Sequence, residues 1–230
     1  SDVYKRQLHN HSDYSLLDGA QTVQTLVNTI DDLGMDSVAL TEHGNMFSVL
    51  PYYKSAKKAG IKPIIGCEVY VAVESRFNKK PRSDGGWGNN HLILLAQNYK
   101  GYQNLMKLNS CLYLDEEKRG FPRLDLTQLK DHSDDLICLS GGPDGPIGSL
   151  IEEWQIDKAT DYAANLLEIF DDRFYIELQR HPEEGGLPVR EQKTEPIFLQ
   201  IAYEMDIPIV ATNDVHFLNP EAFESHDALL

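Results

Sequence analysis

Three cysteines in 230 residues, Cys67, Cys111 and Cys138, are scattered and show no C-x-x-C spacing. That scarcity excludes a disulfide scaffold and a zinc finger. No apolar run approaches the ~20 residues needed to span a bilayer, and no signal-peptide pattern is visible. A soluble, cytoplasmic protein without a membrane partner is the expectation. No G-x-G-x-x-G follows the first strand-like stretch, so a dinucleotide-binding fold has no support. Basic charge is scarce too: 21 Lys and Arg stand against 36 Asp and Glu, a net charge of −15. Such a surface repels nucleic acid, whose binding needs basic stripes. Most of the acid is ordinary solvated surface, but part could be carboxylates gathered with histidines to await a metal.

What remains is a chain that is 41% hydrophobic and 25% charged, suited to one globular domain with a sizeable core. Apolar spacing predicts helices over 21–33, 46–59, 99–113, 159–170 and 189–205, and a short one from Leu126. Gly34 and Gly60 stand where helix C-caps belong, and Pro51 interrupts the second helix near its start. Continuous apolar runs predict strands over 37–41, 61–73, 91–96, 136–140, 174–178 and 207–211, with a weak one before His9. The alternation of strand and helix, about seven times over, predicts a parallel sheet in a closed or nearly closed β/α barrel.

The chemistry-bearing residues gather at the ends of those strands. His9 and His11, one residue apart, point the same way on a strand, and imidazole is the commonest protein metal ligand. His43, Glu68, Asp214 and His216 follow later strands, His91 opens one, and Asp18 lies on the first loop. In β/α barrels the C-terminal strand ends and the loops after them form the site. Singly, each has an ordinary explanation: Asp18-Gly19 as a turn, Glu68 facing solvent, His91 a satisfied core histidine. Jointly, eight His, Asp and Glu exceed the needs of one tetrahedral ion and predict two or three of Zn, Mn or Fe, with Mg also admissible. Such a cluster suits in-line displacement at phosphorus, with Glu68 and Asp214 bridging ions.

The stretches QLHNHSDYSLLDGA, ALTEHGN, GIKPIIGCEVYV, HLILLAQNYKGYQNL, LSGG, FYIELQRH and IPIVATNDVHF, in this order, resemble the PHP (polymerase and histidinol phosphatase) domains found at the N-terminus of bacterial DNA polymerase III alpha subunits. The resemblance covers residues 8–230. It implies a distorted seven-stranded β/α barrel, TIM-barrel-like, carrying up to three divalent ions. By motif match, the metal ligands would be His9, His11, Asp18, His43, Glu68, His91, Asp214 and His216, with Asp214, Glu68 and His43 carrying catalysis. Glu177 and His181 also match the polymerase group. His181 would be a rim or supporting residue that could touch a phosphate, or simply a surface histidine. Arg180 and the Lys79–Arg82 loop, the only basic features near strand ends, could meet a phosphate or a DNA strand, or be ordinary solvated surface.

There are departures. Many relatives carry Cys or His after the fifth strand, where this chain has Gly142, and Cys138 is a weak substitute. The lead-in to His9 is also more polar than the family's. The resemblance implies a barrel over 1–221 and, over 222–230, the truncated start of a following polymerase segment. Two readings follow. One is a metal-dependent phosphoesterase, acting on a DNA 3′ end in proofreading or on pyrophosphate, with polymerase chemistry outside this chain. The other is a catalytically silent module that supports the polymerase body and docks a proofreading exonuclease subunit. A free-standing small-molecule phosphatase is a weaker third.

Overall fold

A computed structural model of the chain describes residues 6–77, 90–114, 122–181, 186–223 and 226. The Lys79–Arg82 loop lies outside them, as does most of the helix expected from Ala222. The helices form where apolar spacing placed them. In α1 (Val23–Asp32) the buried side chains are Val23, Leu26, Val27 and Ile30, Thr22 caps the Thr25 amide, and Gly34 follows at φ +66°. α2 (Val49–Ala59) starts three residues later than expected, which puts Pro51 in the first turn, where a missing N–H is harmless. α3 (Tyr99–Leu114), α4 (Leu126–Asp131), α6 (Ile156–Phe170) and α7 (Val189–Glu204) match the expected spans closely.

α5 (Pro146–Glu152), preceded by a 3-10 turn at Gly142–Asp144, was not expected, because GGPDGPIG has the composition of a loop. Pro146 sits in its first turn, where proline is tolerated. Gly148 permits close packing: a Cβ there would lie 2.5 Å from the Gly142 carbonyl oxygen.

The sheet runs in the order β1 (Ser37–Leu40), β2 (Lys62–Val71), β3 (Asn90–Ala96), β4 (Leu136–Leu139), β5 (Phe174–Gln179), β6 (Ile209–Thr212). Among the described residues it has six strands rather than seven. The seventh place is taken by residues 7–11, which bond β1 on one side through Ala39 N to Gln7 O. On the other side, beyond β6, His11 N donates to Val215 O and Val215 N to His9 O. The polar lead-in forms isolated bridges instead of a ladder, and the Asn10 side chain supplies one of the bonds, to Ala39 O.

The expected all-parallel sheet needs correcting. β1–β2, β4–β5 and β5–β6 are parallel, but β3 is antiparallel to both β2 and β4. A strand buried on both faces has the same apolar pattern in either direction, so composition carries no sign of the reversal. The reversal has a functional consequence: the beginning of β3, with His91, lies at the same end of the barrel as the C-terminal ends of its parallel neighbours.

The main core packs α3–α7 against the sheet, and a second cluster joins α1 and α2 to β1. A third and smaller one, Ala39, Ile93, Leu95 and Leu139, fills the barrel. Ile93 stands directly opposite Glu68. Paired residues of antiparallel strands share a face, so Glu68 points into the barrel and not to solvent.

Candidate metal centre

Residues 9 and 11 of the seventh stave project their imidazoles inward, both buried, with ring centroids 5.2 Å apart. Glu68, 1% exposed, is the hub. Its Oε2 lies 2.9 Å from His9 Nε2 and 3.3 Å from His11 Nε2, and its Oε1 lies 2.6 Å from His43 Nδ1 and 2.7 Å from His91 Nδ1. Asp214 follows β6 at φ +45°, a left-handed conformation that Asp tolerates better than most residues. There its Oδ1 comes within 3.1 Å of His9 Nε2 and 3.2 Å of His11 Nε2. At the mouth, Asp18 Oδ2 is 2.8 Å from His43 Nε2 and 3.4 Å from His216 Nε2, while His11 stacks on His43 and His216 at 4.0 and 4.4 Å.

All eight side chains named from the sequence therefore converge. Among the described residues, two sets bring one donor atom each within 4.8 Å of the others: His9, His11, Glu68 and Asp214, and then His11, His43 and His216. Asp18 joins the second set through its histidines, and His91 touches the first through Glu68.

The profile described as PHP domain matches residues 7–181. The chain belongs to the PHP domain family. Among curated relatives, it is 43% identical over 224 residues to a DNA polymerase III subunit alpha of Treponema pallidum, covering 97% of this chain and 18% of that protein. It is 40% identical to the corresponding subunit of Thermus aquaticus, again over 97% of this chain and 18% of the relative. The chain thus spans about a fifth of the length of the curated relatives it matches. Among solved structures, a candidate metal-dependent phosphoesterase from Bifidobacterium adolescentis superposes with a TM-score of 0.56 over 97% of this chain and 96% of that one. At 12% identity that likeness speaks for the fold alone.

The donor set of this PHP domain suits divalent cations: imidazoles and carboxylates, without thiolates. Three inward-facing atoms, His11 Nε2, Asp18 Oδ1 and Asp214 Oδ1, are buried without a hydrogen-bond partner. Buried polar atoms are seldom left so, and a cation bound among them would supply what is missing.

Without an ion, protons hold the carboxylates together. Burial opposes charge on Glu68, yet His91 and His43 outweigh it and hold its carboxyl well below the usual range. Burial likewise opposes charge on Asp214 and Asp18, which are held low by His9 and His11 and by His216 and His43 respectively. The histidines move the other way. Against the cost of burial, Asp214 and Glu177 hold His9 well above its usual value, Glu68 and Asp18 hold His43 up at about 10, and Glu68 and Asp18 raise His91 and His216 respectively.

Arg180 and His181 do not enter the centre. Arg180 forks onto Glu195 with contacts of 2.9 and 2.6 Å on the surface. His181 uses both ring nitrogens within the protein, Nδ1 on Glu191 at 2.6 Å and Nε2 donating to the Asn213 carbonyl at 2.7 Å. It pins the residue before Asp214 to α7 and has no nitrogen left for a phosphate.

Four supporting residues were given no role from the sequence. Glu177, fully buried, accepts from His9 Nδ1 and the Gly141 amide, both at 2.9 Å, and from the Thr212 hydroxyl. A carboxylate between buried Ile176 and half-buried Leu178 in an otherwise apolar strand was the signal that could have found it. Gln179 occupies the space beside Gly142, where a Cβ would lie 2.8 Å from its amide carbon. Where the family resemblance led to the expectation of a ligand, this chain has a left-handed glycine covered by a neutral amide. Ser15 and Glu42 complete the set.

Proposed function

We propose that this chain is the N-terminal PHP domain of a bacterial replicative DNA polymerase III alpha subunit and that its site is a metal-dependent phosphoesterase centre. The observation that carries this reading is the convergence of His9, His11, His43, His91, His216, Asp18, Glu68 and Asp214 around three buried atoms without partners. His9, His11, Glu68 and Asp214 would hold one divalent ion, Zn, Mn or Fe, and His11, His43 and His216 with Asp18 a second. A third would have to do without a ligand at Gly142. Such ions supply Lewis acidity toward a phosphoryl group. Glu68 and Asp214 fix the positions of the imidazoles. His43, at the partly exposed mouth and bonded to Asp18 through Nε2, would give up a proton on joining the outer ion. The substrate class is a phosphoester or phosphoanhydride, either the 3′ end of a DNA strand or pyrophosphate. The remaining partners are the rest of the polymerase chain, over residues beyond 221, and a proofreading exonuclease subunit. The compartment is the cytoplasm.

The filled space at Gly142 favours a second reading, in which the ions brace the barrel and catalyse nothing. Measuring bound metal, then release of phosphate or nucleotide with added Mn or Zn, separates the two. Turnover that tracks metal content supports the phosphoesterase. Stoichiometric metal with no turnover on DNA ends or pyrophosphate overturns it and leaves the bracing role.

A further inference from the structure

We propose that Ser15 and Glu42 form a buried relay that holds His11 with its proton on Nδ1 and its Nε2 lone pair turned toward the centre. The relay's purpose rests on the metal reading above; its existence rests on a hydrogen-bond inventory that needs no metal.

Ser12, Ser15 and Glu42 are all 1% exposed or less. Glu42 lies next to a predicted ligand but bonds the loop of residues 12–20. Its Oε1 accepts from the Ser12 hydroxyl, and its Oε2 accepts from the Ser12 amide at 3.1 Å and the Ser15 hydroxyl at 2.6 Å. Three donors offset the cost of burying this acid. A serine hydroxyl has one hydrogen and two lone pairs. Ser15 directs its hydrogen to Glu42. Its oxygen then accepts from the His43 amide at 3.2 Å, since an amide N–H can only donate. One lone pair remains, and His11 Nδ1 stands 2.9 Å from it. With no hydrogen left on the serine, Nδ1 must be the donor.

In a neutral imidazole that leaves Nε2 bare. His11 Nε2 is one of the buried atoms without a partner, and it faces Glu68 Oε2 at 3.3 Å and Asp214 Oδ1 at 3.2 Å. Among the described residues His11 is also the member common to both ligand sets, so its orientation bears on both. His9 Nδ1 donates directly to a carboxylate, Glu177, whereas His11 Nδ1 reaches its carboxylate through a hydroxyl.

The test is ¹⁵N NMR of the metal-free chain, at a pH where the His11 ring is neutral, combined with competitive titration of Zn. A pyrrole-type Nδ1 and a pyridine-type Nε2 are expected, and the reverse assignment overturns the relay. Ser15→Ala removes the acceptor. It should mix the two tautomers and weaken Zn binding about 10- to 100-fold. Glu42→Leu frees the Ser15 hydrogen to turn onto His11 and should move the ring proton to Nε2. Glu42→Gln can keep its carbonyl oxygen toward Ser15 and its amide toward the Ser12 hydroxyl, so it should restore the wild-type signature. Should Glu42→Leu fail to fold, the wild-type spectrum and Ser15→Ala still decide. Unchanged His11 shifts in Ser15→Ala overturn the relay. A wild-type chain with the expected tautomer but no affinity for Zn supports the relay and overturns the metal reading instead.

Discussion

His9 and His11 are buried to within 2% of their surface, whereas His43, His216 and Asp18 keep 16%, 15% and 23% of their side-chain surface in solvent. The two groups share Glu68 and the same residue types, yet they are held differently. In the deep group, both histidines are held by further protein partners. Glu177, itself bonded by Thr212 and the Gly141 amide, orients His9, and Ser15 orients His11. In the outer group, Asp18 and His43 bond mainly to each other, to Glu68 and to His216. The deep half is preorganised and, apart from Asp214 with 25% of its side chain exposed, closed to water; on the proposed function the outer half would exchange ligands with a substrate. That is the arrangement expected where one ion is kept and the neighbouring position is worked.

The largest effect should come from the residue that joins the halves. Glu68→Leu leaves four imidazoles without their shared carboxylate. Removing one partner of a buried ion pair costs about 3–5 kcal/mol. The cost should be largest below about pH 6.5, where the histidines would otherwise remain charged, and smaller in base, where they can shed their protons. Denaturant midpoints at pH 6 and pH 9 check this, and metal content should fall for both halves. An equal cost at both pH values would separate Glu68 from the histidine charges.

The deep half was also the more legible in the sequence. His9 and His11 declare themselves by i, i+2 spacing, and Asp214 and His216 repeat it after β6. Helix spans such as α1 and α6 followed from 3.6-residue apolar spacing. The reversal of β3 was invisible, because a doubly buried strand has no sequence polarity, so His91, opening its strand, was the less obvious member of the set. Glu42 and Ser15 were obscure for another reason. Glutamate and serine in loops are usually solvated, and only the folded inventory of donors shows where their hydrogens go. α5 was hidden by its glycines and prolines, which in the folded chain start the helix and let it pack closely instead of breaking it.

Next in size, Asp214→Asn and Asp18→Asn should split the halves. Losing the Asp214 charge should weaken metal binding about 100-fold or more in the deep group, while Asp18→Asn should spare the first equivalent and weaken only a second, by about tenfold. Metal titration followed by elemental analysis reads both. Intact metal content in Asp214→Asn would overturn its assignment as a ligand.

A pH profile tests the same division without mutation. His9, His43, His91 and His216 have raised values, so their contribution to the metal-free fold is complete below about 6.5 and is lost as pH rises toward the value near 10 of His43. Asp18, Glu68 and Asp214 have lowered values, so theirs is present above about 4 and lost as pH falls further. The metal-free melting temperature should therefore peak between about pH 4.5 and 6.5 and decline in base. Added Zn should reverse the decline, because ligand binding must displace those protons and strengthens as they leave. A melting temperature flat from pH 6 to pH 9 in both states would contradict the proton-held picture.

The smallest effects belong to the neighbouring pair at the end of β5, and they should still differ. Among the described residues Arg180 is bonded to Glu195 alone, on the surface, so Arg180→Ala should leave metal affinity unchanged and stability nearly so. His181 bonds the Asn213 carbonyl and Glu191, one residue from Asp214, so His181→Ala should loosen that ligand and weaken the deep ion about tenfold. Phosphate competition would separate this brace from a phosphate-binding role. Inhibition of turnover by inorganic phosphate should be the same in His181→Ala and wild type once metal is saturating. If the variant instead loses phosphate inhibition at full metal occupancy, His181 reaches the substrate, and the bonds to Asn213 and Glu191 must open during the reaction.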